Sequence, residues 1–539
     1  MARKGRELYA RVGLAQIPHI LGMVDKHRLS PTYGCFDRSY WHYRTASFPS
    51  GMYQEFVLPL ALVFKFPFPG GEGFYLQPRL KELVLAGMRF AARSSHRNGS
   101  CDDYFPYERA LGAAAFSLYA MTESYRLLEL QEEDVVEFFV KRGGWLMEHQ
   151  ESGRLSNHQA LAALALQNVF LITGQDRFHE GARDRVNTLL GWQSQEGWFP
   201  EYQGCDPGYL TATIDFLAKY TRLSGSRELE EPLGRALEFL SLLVHPDGTC
   251  GGEYGSRNTY LLFPHGLELS ARFSKAAAQM ADLYLKALEE GRRVYLEDDR
   301  MCAHLSYDHL QAYLDFTEEI PQKDEVESKN PQGFNKYFSE AKLFLYKDSN
   351  RHLVVSAAKG GALSYHLDGK LAYCDSGLAA KLSSGEVLVT HLVDDYEVRI
   401  LERGIRVGGQ FGVASFKTPT PLTQVLFFVG MLLVGRWGSD LVRRLLQRLL
   451  IVGKRRHPMR FSRTVQLGEE LVLTDEIWIG KPMGAERILE LWAGTDHTSI
   501  YVAMSRMYRP GCLLPWTDYR ELIPVLERDG YARLERHFS

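Results

Sequence analysis

Three segments of this chain repeat one layout, in which an apolar helix ends in a short polar loop and another helix follows. The segments are MEHQESGRLSNH at 147–158, GWQSQEGWFPEY at 191–202 and LVHPDGTCGGEY at 243–254. Their loop glycines, Gly153, Gly197 and Gly248, are 44 and 51 residues apart, and each suits a turn with positive φ. A period of roughly 40–50 residues with two helices per unit is the signature of stacked helical hairpins.

The helices of these hairpins fall into two classes. The run ALAALALQNVFLI at 160–172 is apolar on most sides and predicts an inner helix. The run RELEEPLGRALEFLSLLV at 227–244 alternates leucine and charge at helical spacing and predicts an outer helix. About six such pairs fit before residue 320, enough to close a ring. We therefore predict a closed (α/α) toroid over 1–325, with an open superhelix as the alternative.

The pattern changes after a charged, apolar-poor segment at 318–335 that contains two prolines and predicts a domain edge. Short alternating runs follow, among them HLVVSAAKGGALSYHL and ELVLTDEIWIG, separated by turn residues. Such runs are typical of an antiparallel β-sandwich, which we predict over 326–539. A chain of 539 residues is too long for one core, so the predicted fold class is α+β multidomain.

Composition narrows the compartment and the partners. A net charge of −3 and a pI near 6.6 give no overall attraction to nucleic acid. The seven cysteines form no C-x-x-C pair, which disfavours a zinc site or a disulfide framework and suits a reducing compartment. We find no phosphate loop, Rossmann fingerprint or nucleophile elbow, and we expect no metal and no cofactor. The short, interrupted apolar segment near the N-terminus does not suit a signal peptide, so we expect a cytoplasmic protein.

An insertion at 418–460 interrupts the predicted strands. Its apolar core, Val425–Val434, is far shorter than the roughly twenty residues that cross a bilayer. A leucine-rich basic segment follows it. The pair of segments predicts a helix in an anionic membrane interface, on the inner face of the cytoplasmic membrane. The alternative is packing on the toroid or on the second subunit of a homodimer. The predicted membrane contacts are Phe427, Phe428, Arg443, Arg444 and Arg448.

Polar side chains recur at equivalent loop ends of consecutive hairpins. Asn157 and His158 stand at the start of one helix, and Tyr209 stands at the start of the next inner helix. Taken alone, Asn157 and His158 suit helix capping, as do Asp206 and Pro207. Their recurrence indicates one cleft. Asn, His, Tyr and Arg suit removal of the C5 proton of a uronic acid, because hydrogen bonds to its carboxylate stabilise the enolate-like state.

Asn157-His158, a tyrosine 52 residues after Asn157, and the α-then-β order resemble the heparinase II/III-like and alginate-lyase group of polysaccharide lyases. The resemblance implies an (α/α) toroid followed by a β-sandwich, with the cleft between them. It implies that Asn157 neutralises the substrate carboxylate, that His158 assists or acts as the base, and that Tyr209 is the acid or base. Arg257 would support the tyrosine and bind acidic sugar, and Tyr202 is the alternative to Tyr209.

The resemblance extends to GKLAYCDSG at 369–377, which is similar to a G-x-x-x-x-D-x-G segment of these lyases. The histidine-rich step expected before it is replaced by SAAKGGALSYH, so Lys359 or the displaced His366 would supply the β-domain group. Aromatic faces that stack on sugars and polar groups around the predicted cleft complete the candidate set. The predicted substrate contacts are Trp41, His42, Tyr104, Glu108, Arg109, Glu201, Tyr202, Tyr254, Asn258, Lys359 and His366.

Three functions remain open at this point. The first is a lyase that cleaves a uronic-acid-containing glycan by β-elimination, in polysaccharide biosynthesis or processing at the membrane. The second is a uronyl C5-epimerase that uses the same proton abstraction. The third is a non-catalytic glycan-binding scaffold. The expected partner in each case is an acidic polysaccharide or a lipid-linked oligosaccharide.

Overall fold

Helices form the first part of the chain. The computed structural model describes residues 3–151, 153–202, 204–295, 300–319, 334–414, 420–447, 455–479, 486–495 and 507–538. The helices before residue 320 are α1 (Arg6–Leu14), α2 (Ile17–Met23), α3 (Arg38–Trp41), α4 (Val57–Lys65), α5 (Pro78–Ser94), α6 (Leu111–Leu127), α7 (Glu133–Glu148), α8 (Ser156–Thr173), α9 (Asp176–Leu190), α10 (Pro207–Ser224), α11 (Glu230–Leu243), α12 (Pro264–Ser270), α13 (Lys275–Glu289) and α14 (Cys302–Leu314).

These helices close into a double ring. The inner helices α4, α6, α8, α10, α12 and α14 pack each on the next, and α14 returns to α4. The outer helices α5, α7, α9, α11 and α13 each pack on an inner neighbour, and α1 packs on α14. The Ser306 hydroxyl donates to the carbonyl of Gly13 at 2.9 Å across this last contact. The predicted closed (α/α) toroid is confirmed.

Burial separates the two rings as the sequence predicts. Helix α8 is buried almost throughout Ser156–Val169, because it touches neighbours on every side. Helix α11 buries one face, which includes Leu233, Leu237 and Leu240, and exposes its charges. An apolar stripe on one side and charge on the other is what a helix between a core and water requires.

The loop glycines that define the repeat have positive φ, with values of 96° at Gly153, 104° at Gly197 and 79° at Gly248. Two of them also meet a neighbouring helix closely. A Cβ at Gly197 would lie 2.5 Å from the carbonyl oxygen of Arg235, and one at Gly248 would lie 2.3 Å from that of Leu283. Backbone conformation and close approach therefore both favour glycine at these turns.

Strands form most of the second part of the chain, after the short pair β1 (Arg154–Leu155) and β2 (Glu201–Tyr202) in the toroid loops. They are β3 (Phe334–Phe338), β4 (Leu343–Lys347), β5 (Arg351–Ser356), β6 (Ala362–Leu367), β7 (Lys370–Asp375), β8 (Leu378–Leu382), β9 (Val387–Val389), β10 (Glu397–Leu401), β11 (Gly404–Ala414), β12 (Arg456–Leu467), β13 (Leu471–Trp478), β14 (Ile488–Ala493), β15 (Thr517–Asp518) and β16 (Tyr531–Phe538). Two helices accompany them, α15 (Pro421–Gln447) and α16 (Ile523–Asp529).

The strands form two antiparallel sheets. The first has the order β3-β4-β5-β6-β7, and the second has the order β15-β14-β8-β9-β11-β12-β13-β16, with β10 paired to β11. Phe344, Val355 and Tyr365 of the first sheet share one apolar core with Val407 and Leu473 of the second. The predicted α+β class, a helical toroid followed by packed antiparallel sheets, is confirmed.

The antiparallel sheets pack against the toroid directly. Phe338 lies edge-on to Phe239 at 5.2 Å between ring centroids. The Glu196 carboxylate accepts the backbone N–H groups of Glu340 and Ala341 at 3.0 and 2.9 Å. The last helix of the toroid ends at Leu314 and the first long strand begins at Phe334; the predicted boundary between residues 325 and 326 lies outside the described residues.

The insertion between β11 and β12 contains α15, 27 residues in which two helical segments meet at a kink, the non-helical residue Gly438. The kink separates the apolar first segment from the start of the predicted basic segment. Arg448 lies outside the described residues, as do the side chains of Arg443 and Arg444. Among the helices of the described chain, none combines the length and the apolar character needed to cross a bilayer.

Candidate active site

The loops that lead into the inner helices gather at one end of the toroid. Inner and outer helices alternate along the chain and each outer helix packs beside the inner helix that precedes it, so we infer that the six inner helices run in one direction and begin at the same end. Two of these loops pair as β1 and β2, with Leu155 opposite Glu201 and Arg154 opposite Tyr202. This pairing brings the start of α8 next to the loop that precedes α10.

Asn157 uses its side chain across this junction instead of capping its own helix. Its Nδ2 donates to Oε2 of Glu201 at 2.8 Å, and its Oδ1 is buried with no hydrogen-bond partner among the described residues. Asn157 is 1% exposed and Glu201 is 2% exposed. The pair is therefore a preorganised polar contact in a dry environment, with one acceptor still unused.

Glu201 lies at the electrostatic centre of the group. Burial raises the pKa of its carboxyl to about 7, although His158, the Asn157 hydrogen bond and Arg257 each oppose this shift. Asn157 bonds this carboxyl directly, His158 follows Asn157 in the chain, and Arg257 lies over the neighbouring Tyr202, so the three side chains lie around one carboxyl group. A carboxyl with a pKa near 7 exchanges its proton at physiological pH, which is typical of groups in functional sites.

His158 is held by an acidic partner from its own loop. Its Nδ1 lies 2.6 Å from Oε2 of Glu151, and the imidazole is about one-fifth exposed. The ring also lies edge-on to Phe116 and against Gly112 of α6, where a Cβ would lie 2.6 Å from the imidazole. A carboxylate at one ring nitrogen and packing on the ring edge fix the orientation of the histidine.

Asp206 joins Tyr209 to Arg257. Its carboxylate accepts the backbone N–H of Tyr209 at 3.0 Å, as the predicted N-cap of α10 with Pro207 in the first turn. The same carboxylate accepts the backbone N–H of Arg257 at 2.8 Å and the hydroxyl of Thr259. One buried side chain therefore sets both the start of α10 and the loop of the next hairpin.

Arg257 lies over the ring of Tyr202. Its guanidinium carbon is 4.6 Å from the ring centroid of Tyr202, and its Nε is buried without a hydrogen-bond partner among the described residues. Burial raises the pKa of Tyr209 and of Tyr202, and the charge of Arg257 opposes the rise in both. Both phenols are accordingly neutral proton donors at neutral pH, close to a cation that stabilises a phenolate.

The β domain contributes Lys359 to this end of the toroid. Its ammonium donates to the carbonyl of Gly255 at 3.0 Å and to Oδ1 of Asn258. Asn258 has a positive φ of 52°, so the loop that carries Arg257 is tightly turned. Of the two β-domain candidates, Lys359 is the one that reaches this loop.

A second group of candidates lies on the loop before α6. Glu108 accepts the backbone N–H groups of Asp103 and Tyr104 at 3.2 and 2.6 Å, and burial together with the nearby Asp103 raises its pKa to about 8. Arg109 has a positive φ of 52°, and its backbone N–H donates to Asp102 at 3.0 Å. The buried Glu108 side chain therefore stabilises the turn of this loop through its backbone N–H groups.

Tyr104 presents its ring at the surface of that loop and is 55% exposed. The guanidinium of Arg300 lies 3.8 Å from the centroid of this ring and bonds to Asp103. Gly112, two residues after this loop, lies against the imidazole of His158, where an added Cβ would lie 2.6 Å from the ring. The loop before α6 therefore ends beside the Asn157–Arg257 group.

Trp41 is the last residue of α3, and His42 begins the loop that follows this helix. The indole of Trp41 donates to the carbonyl of Met23 at 2.8 Å, and His42 is exposed with its ring 5.1 Å from that of Trp41. Ser50, at the end of the same loop, donates to Asp103 at 2.6 Å. This bond connects the Trp41 loop with the loop of Tyr104 and Glu108.

The structure does not bring Tyr254 and His366 into the group. The Tyr254 hydroxyl bonds His245 at 2.9 Å and the ring is 1% exposed. His366 is fully buried and stacks on His245 at 4.3 Å between ring centroids. Both lie in the interior, where the toroid meets the β domain and buried polar side chains contact one another.

Two buried clusters of the described residues have ligand atoms within 4.8 Å of one another: His245, Asp247 and His366, and Asp215, His265 and Asp308. In the second, the Lys219 ammonium lies 2.6 and 3.2 Å from the two carboxylates and supplies the positive charge. In the first, both ring nitrogens of His245 are hydrogen-bonded and the Arg509 guanidinium lies 3.4 Å from one of them. A positively charged side chain of the protein therefore lies where a metal ion would lie in each cluster, and we assign a metal to neither.

Sequence reasoning missed three contributors. Glu151 stands in the same polar loop as His158, seven residues earlier, and a search for acidic partners within that loop would have found it. Asp206 was predicted only as a helix cap. Arg300 is isolated in sequence, and only the fold brings it to Tyr104.

Neither a protein-family model nor a curated protein matches the sequence. The fold is similar to the structure of chondroitin AC lyase from Streptomyces coelicolor A3 in complex with chondroitin sulphate, with a TM-score of 0.52 at 11% identity over 90% of this chain and 72% of that chain. Heparinase III gives a TM-score of 0.46 at 11% identity over 92% and 76% of the two chains. Cellobiose 2-epimerase from Bacillus thermoamylovorans B4167 gives 0.44 at 10% identity over 57% and 98%.

An identity of 11% to chondroitin AC lyase establishes likeness of fold and nothing finer. The likeness extends over 90% of the chain and so includes both the helical ring and the sheets. The chain has the fold of a polysaccharide lyase, an (α/α) toroid followed by an antiparallel β domain.

Proposed function

We propose that this protein is a glycan-processing enzyme, a lyase that cleaves a uronic-acid-containing polysaccharide by β-elimination. One observation carries the proposal. A buried amide, Asn157, donates to the buried carboxyl of Glu201, and a buried guanidinium nearby, that of Arg257, keeps an Nε–H donor with no partner among the described residues, with Tyr209 in the same group. Buried polar atoms without partners cost free energy, and a ligand that supplies the partner recovers it.

The second N–H of the Asn157 amide and the Nε–H of Arg257 would bind the carboxylate of the substrate. Removal of the C5 proton moves negative charge onto that carboxylate, and donors already in place stabilise it without reorganisation. Glu201 in its neutral form leaves room for this anion, since a second carboxylate at the same place would repel it.

His158 would take the C5 proton, and its imidazole is oriented for that role by Glu151. The electron pair of the C5–H bond forms the C4–C5 double bond, and the C4–O bond breaks. Tyr209 would donate its phenolic proton to the departing oxygen. Its raised pKa keeps the phenol protonated until that step, and Arg257 stabilises the phenolate that results. The products are an unsaturated uronide and a new hydroxyl end, so atoms and charge balance.

The comparison supports the proposal at the level of substrate class. Chondroitin AC lyase shares the fold of this chain and was observed with chondroitin sulphate, an acidic glycan. The epimerase and the non-catalytic scaffold are outcomes of the same experiment, because each predicts a different combination of signals.

The test is incubation of the full chain with a panel of uronic glycans and with the same glycans after reduction of their carboxyl groups. We expect growth of the ultraviolet absorbance of the C4–C5 double bond with one or more acidic glycans, and none with the reduced forms. Exchange of the C5 hydrogen with deuterated water without absorbance would replace the lyase by an epimerase. Binding with neither signal would leave the scaffold and overturn the proposal.

A further inference from the structure

Helix α15 exposes an unusual amount of apolar surface. All residues from Pro421 to Val429 are exposed, and so are Leu432–Val434. Its exposed large apolar side chains are Leu422, Val425, Leu426, Phe427, Phe428, Val429, Leu432, Leu433 and Val434, with Leu426 at 63% and Leu433 at 69%. A contiguous apolar patch of this kind on a folded chain marks a surface for a partner or a membrane.

One face of α15 packs on the protein. Met431 is 1% exposed, and a Cβ at Gly435 would lie 2.8 Å from the Cβ of Tyr107. Phe427 lies edge-on to Phe105 at 5.5 Å. These contacts attach the helix to the loop before α6, which carries Tyr104 and Glu108, and leave the opposite apolar face open.

Charge along the sequence of α15 divides it into two halves. The stretch from Thr420 to Gly435 contains no charged residue, whereas 436–447 contains three arginines against the single acid Asp440. Arg455 and Arg456 follow and pair with Glu386 and Asp395. An apolar half followed by a basic half matches the acyl boundary and the anionic headgroups of a bilayer surface.

We propose that α15 binds the surface of an anionic lipid bilayer, with its apolar face in the interface and its axis along the membrane plane. Before the kink at Gly438, the helix from Pro421 to Trp437 extends about 25 Å at a rise of 1.5 Å per residue, which is shorter than the hydrocarbon core of a bilayer and suits a helix that lies along its surface. A second copy of this chain is the less favoured occupant, because α15 offers its arginines a single acid, Asp440, whereas an anionic bilayer supplies negative charge along its whole surface.

Because α15 is attached to the loop before α6, binding of α15 to a bilayer would also place the cleft near the membrane. The loop that holds the helix leads into α6, where Gly112 packs against His158 of the candidate site, so the bilayer surface would lie beside the opening of the cleft. On the proposed function, which this step assumes, the natural substrate is a glycan carried at the membrane by a lipid. Membrane binding itself does not depend on that step.

The test is sedimentation of the full chain with vesicles of phosphatidylcholine alone and of phosphatidylcholine mixed with phosphatidylglycerol. We expect at least tenfold stronger binding to the anionic vesicles. The double variant Leu426→Ser/Leu433→Ser should lose at least tenfold of that binding. The matched control is Leu29→Ser/Leu513→Ser, at two sites that are 90% and 75% exposed elsewhere on the surface, and it should bind as the unchanged chain does.

The double variant Arg443→Glu/Arg444→Glu tests the contribution of positive charge. It should weaken binding to anionic vesicles while thermal unfolding of the chain stays unchanged. Failure of the unchanged chain to bind anionic vesicles overturns the proposal. So does a dimer that Leu426→Ser/Leu433→Ser converts to monomer in light scattering while no vesicle binds. Neither readout uses a glycan, so this result is independent of whether the lyase assay succeeds.

Discussion

Glu201 is the residue on which the candidate site depends. It is fully surrounded, it accepts the amide of Asn157, and burial raises the pKa of its carboxyl to about 7. Ionisation of Glu201 therefore costs free energy in the folded chain that it does not cost in the unfolded chain, where the pKa is near 4.5.

This difference predicts a pH-dependent effect of Glu201→Gln. A raised folded-state pKa means that the wild type loses stability as pH rises from about 4.5 to about 7, by up to about 3 kcal/mol. Glutamine does not ionise and can still accept from Asn157. The gain in melting temperature of Glu201→Gln over the wild type should therefore be larger at pH 8 than at pH 5. The exposed Glu180→Gln serves as control, and an equal difference at both pH values would contradict the assignment.

Part of this site can be predicted from sequence. The recurrence of polar residues at hairpin ends indicates Asn157, Tyr209 and Arg257, because a repeat places equivalent loops at one end of the fold. The cap role open to Asn157 does not occur, since α8 already begins at Ser156 and the amide reaches the next hairpin. Position along the chain does not show which polar residues turn inward. The sequence therefore predicts Tyr254 at the cleft, whereas its side chain lies in the interior.

At the scale of elements, the loop glycines make the hairpins close. Gly248 has a φ of 79° and its α-hydrogen faces the carbonyl oxygen of Leu283, whereas Gly225 has a φ of 71° with open space around it. The two positions therefore share one backbone conformation and differ only in what a side chain would meet.

Gly248→Ala should consequently destabilise the chain more than Gly225→Ala. Positive φ costs either alanine about 1 kcal/mol. At Gly248 the added Cβ would lie 2.3 Å from a backbone oxygen, so the loop or α13 must also move. Thermal unfolding of both variants measures the difference, and equal melting temperatures would show that the loop adapts without cost.

Elements with a clear period are the predictable ones. The inner and outer helices follow from a spacing of 3.6, and β4, β5 and β13 follow from alternation. The sequence pattern does not indicate β3, β8 or β14, because short segments without regular alternation, such as LAAKL of β8 and ILELWA of β14, do not distinguish a strand from a helix or a loop until neighbouring strands pair with them. Helix α15 consists of two helical segments that meet at the non-helical Gly438, in the order of the apolar and basic segments of the sequence.

At the scale of the whole molecule, the β domain braces the cleft. Lys359 follows β5 and bonds two acceptors in the loop that carries Arg257, Gly255 and Asn258. Contacts of this kind between distant parts of a chain leave no local sequence signal, which is why sequence reasoning left Lys359 and His366 open.

Lys359→Met should lower kcat/KM toward an acidic glycan about tenfold, mainly through KM, because the loop that carries Arg257 loses its hold and the cleft loses a positive charge. Lys370→Met, at an exposed position on β7, is the matched control and should leave both constants unchanged. Initial rates over a range of substrate concentrations give both constants. Equal effects of the two variants would remove Lys359 from the site.

The central claim is that Tyr209, at the start of α10, completes β-elimination in the cleft, and its loss measures that claim most directly. With an acidic glycan that gives absorbance, Tyr209→Phe should reduce the rate by roughly 10²–10⁴ while the glycan still binds, since only the phenolic proton is removed. Tyr220→Phe, on the same helix and buried away from its start, should retain the rate of the wild type. A wild-type rate in Tyr209→Phe would contradict the account.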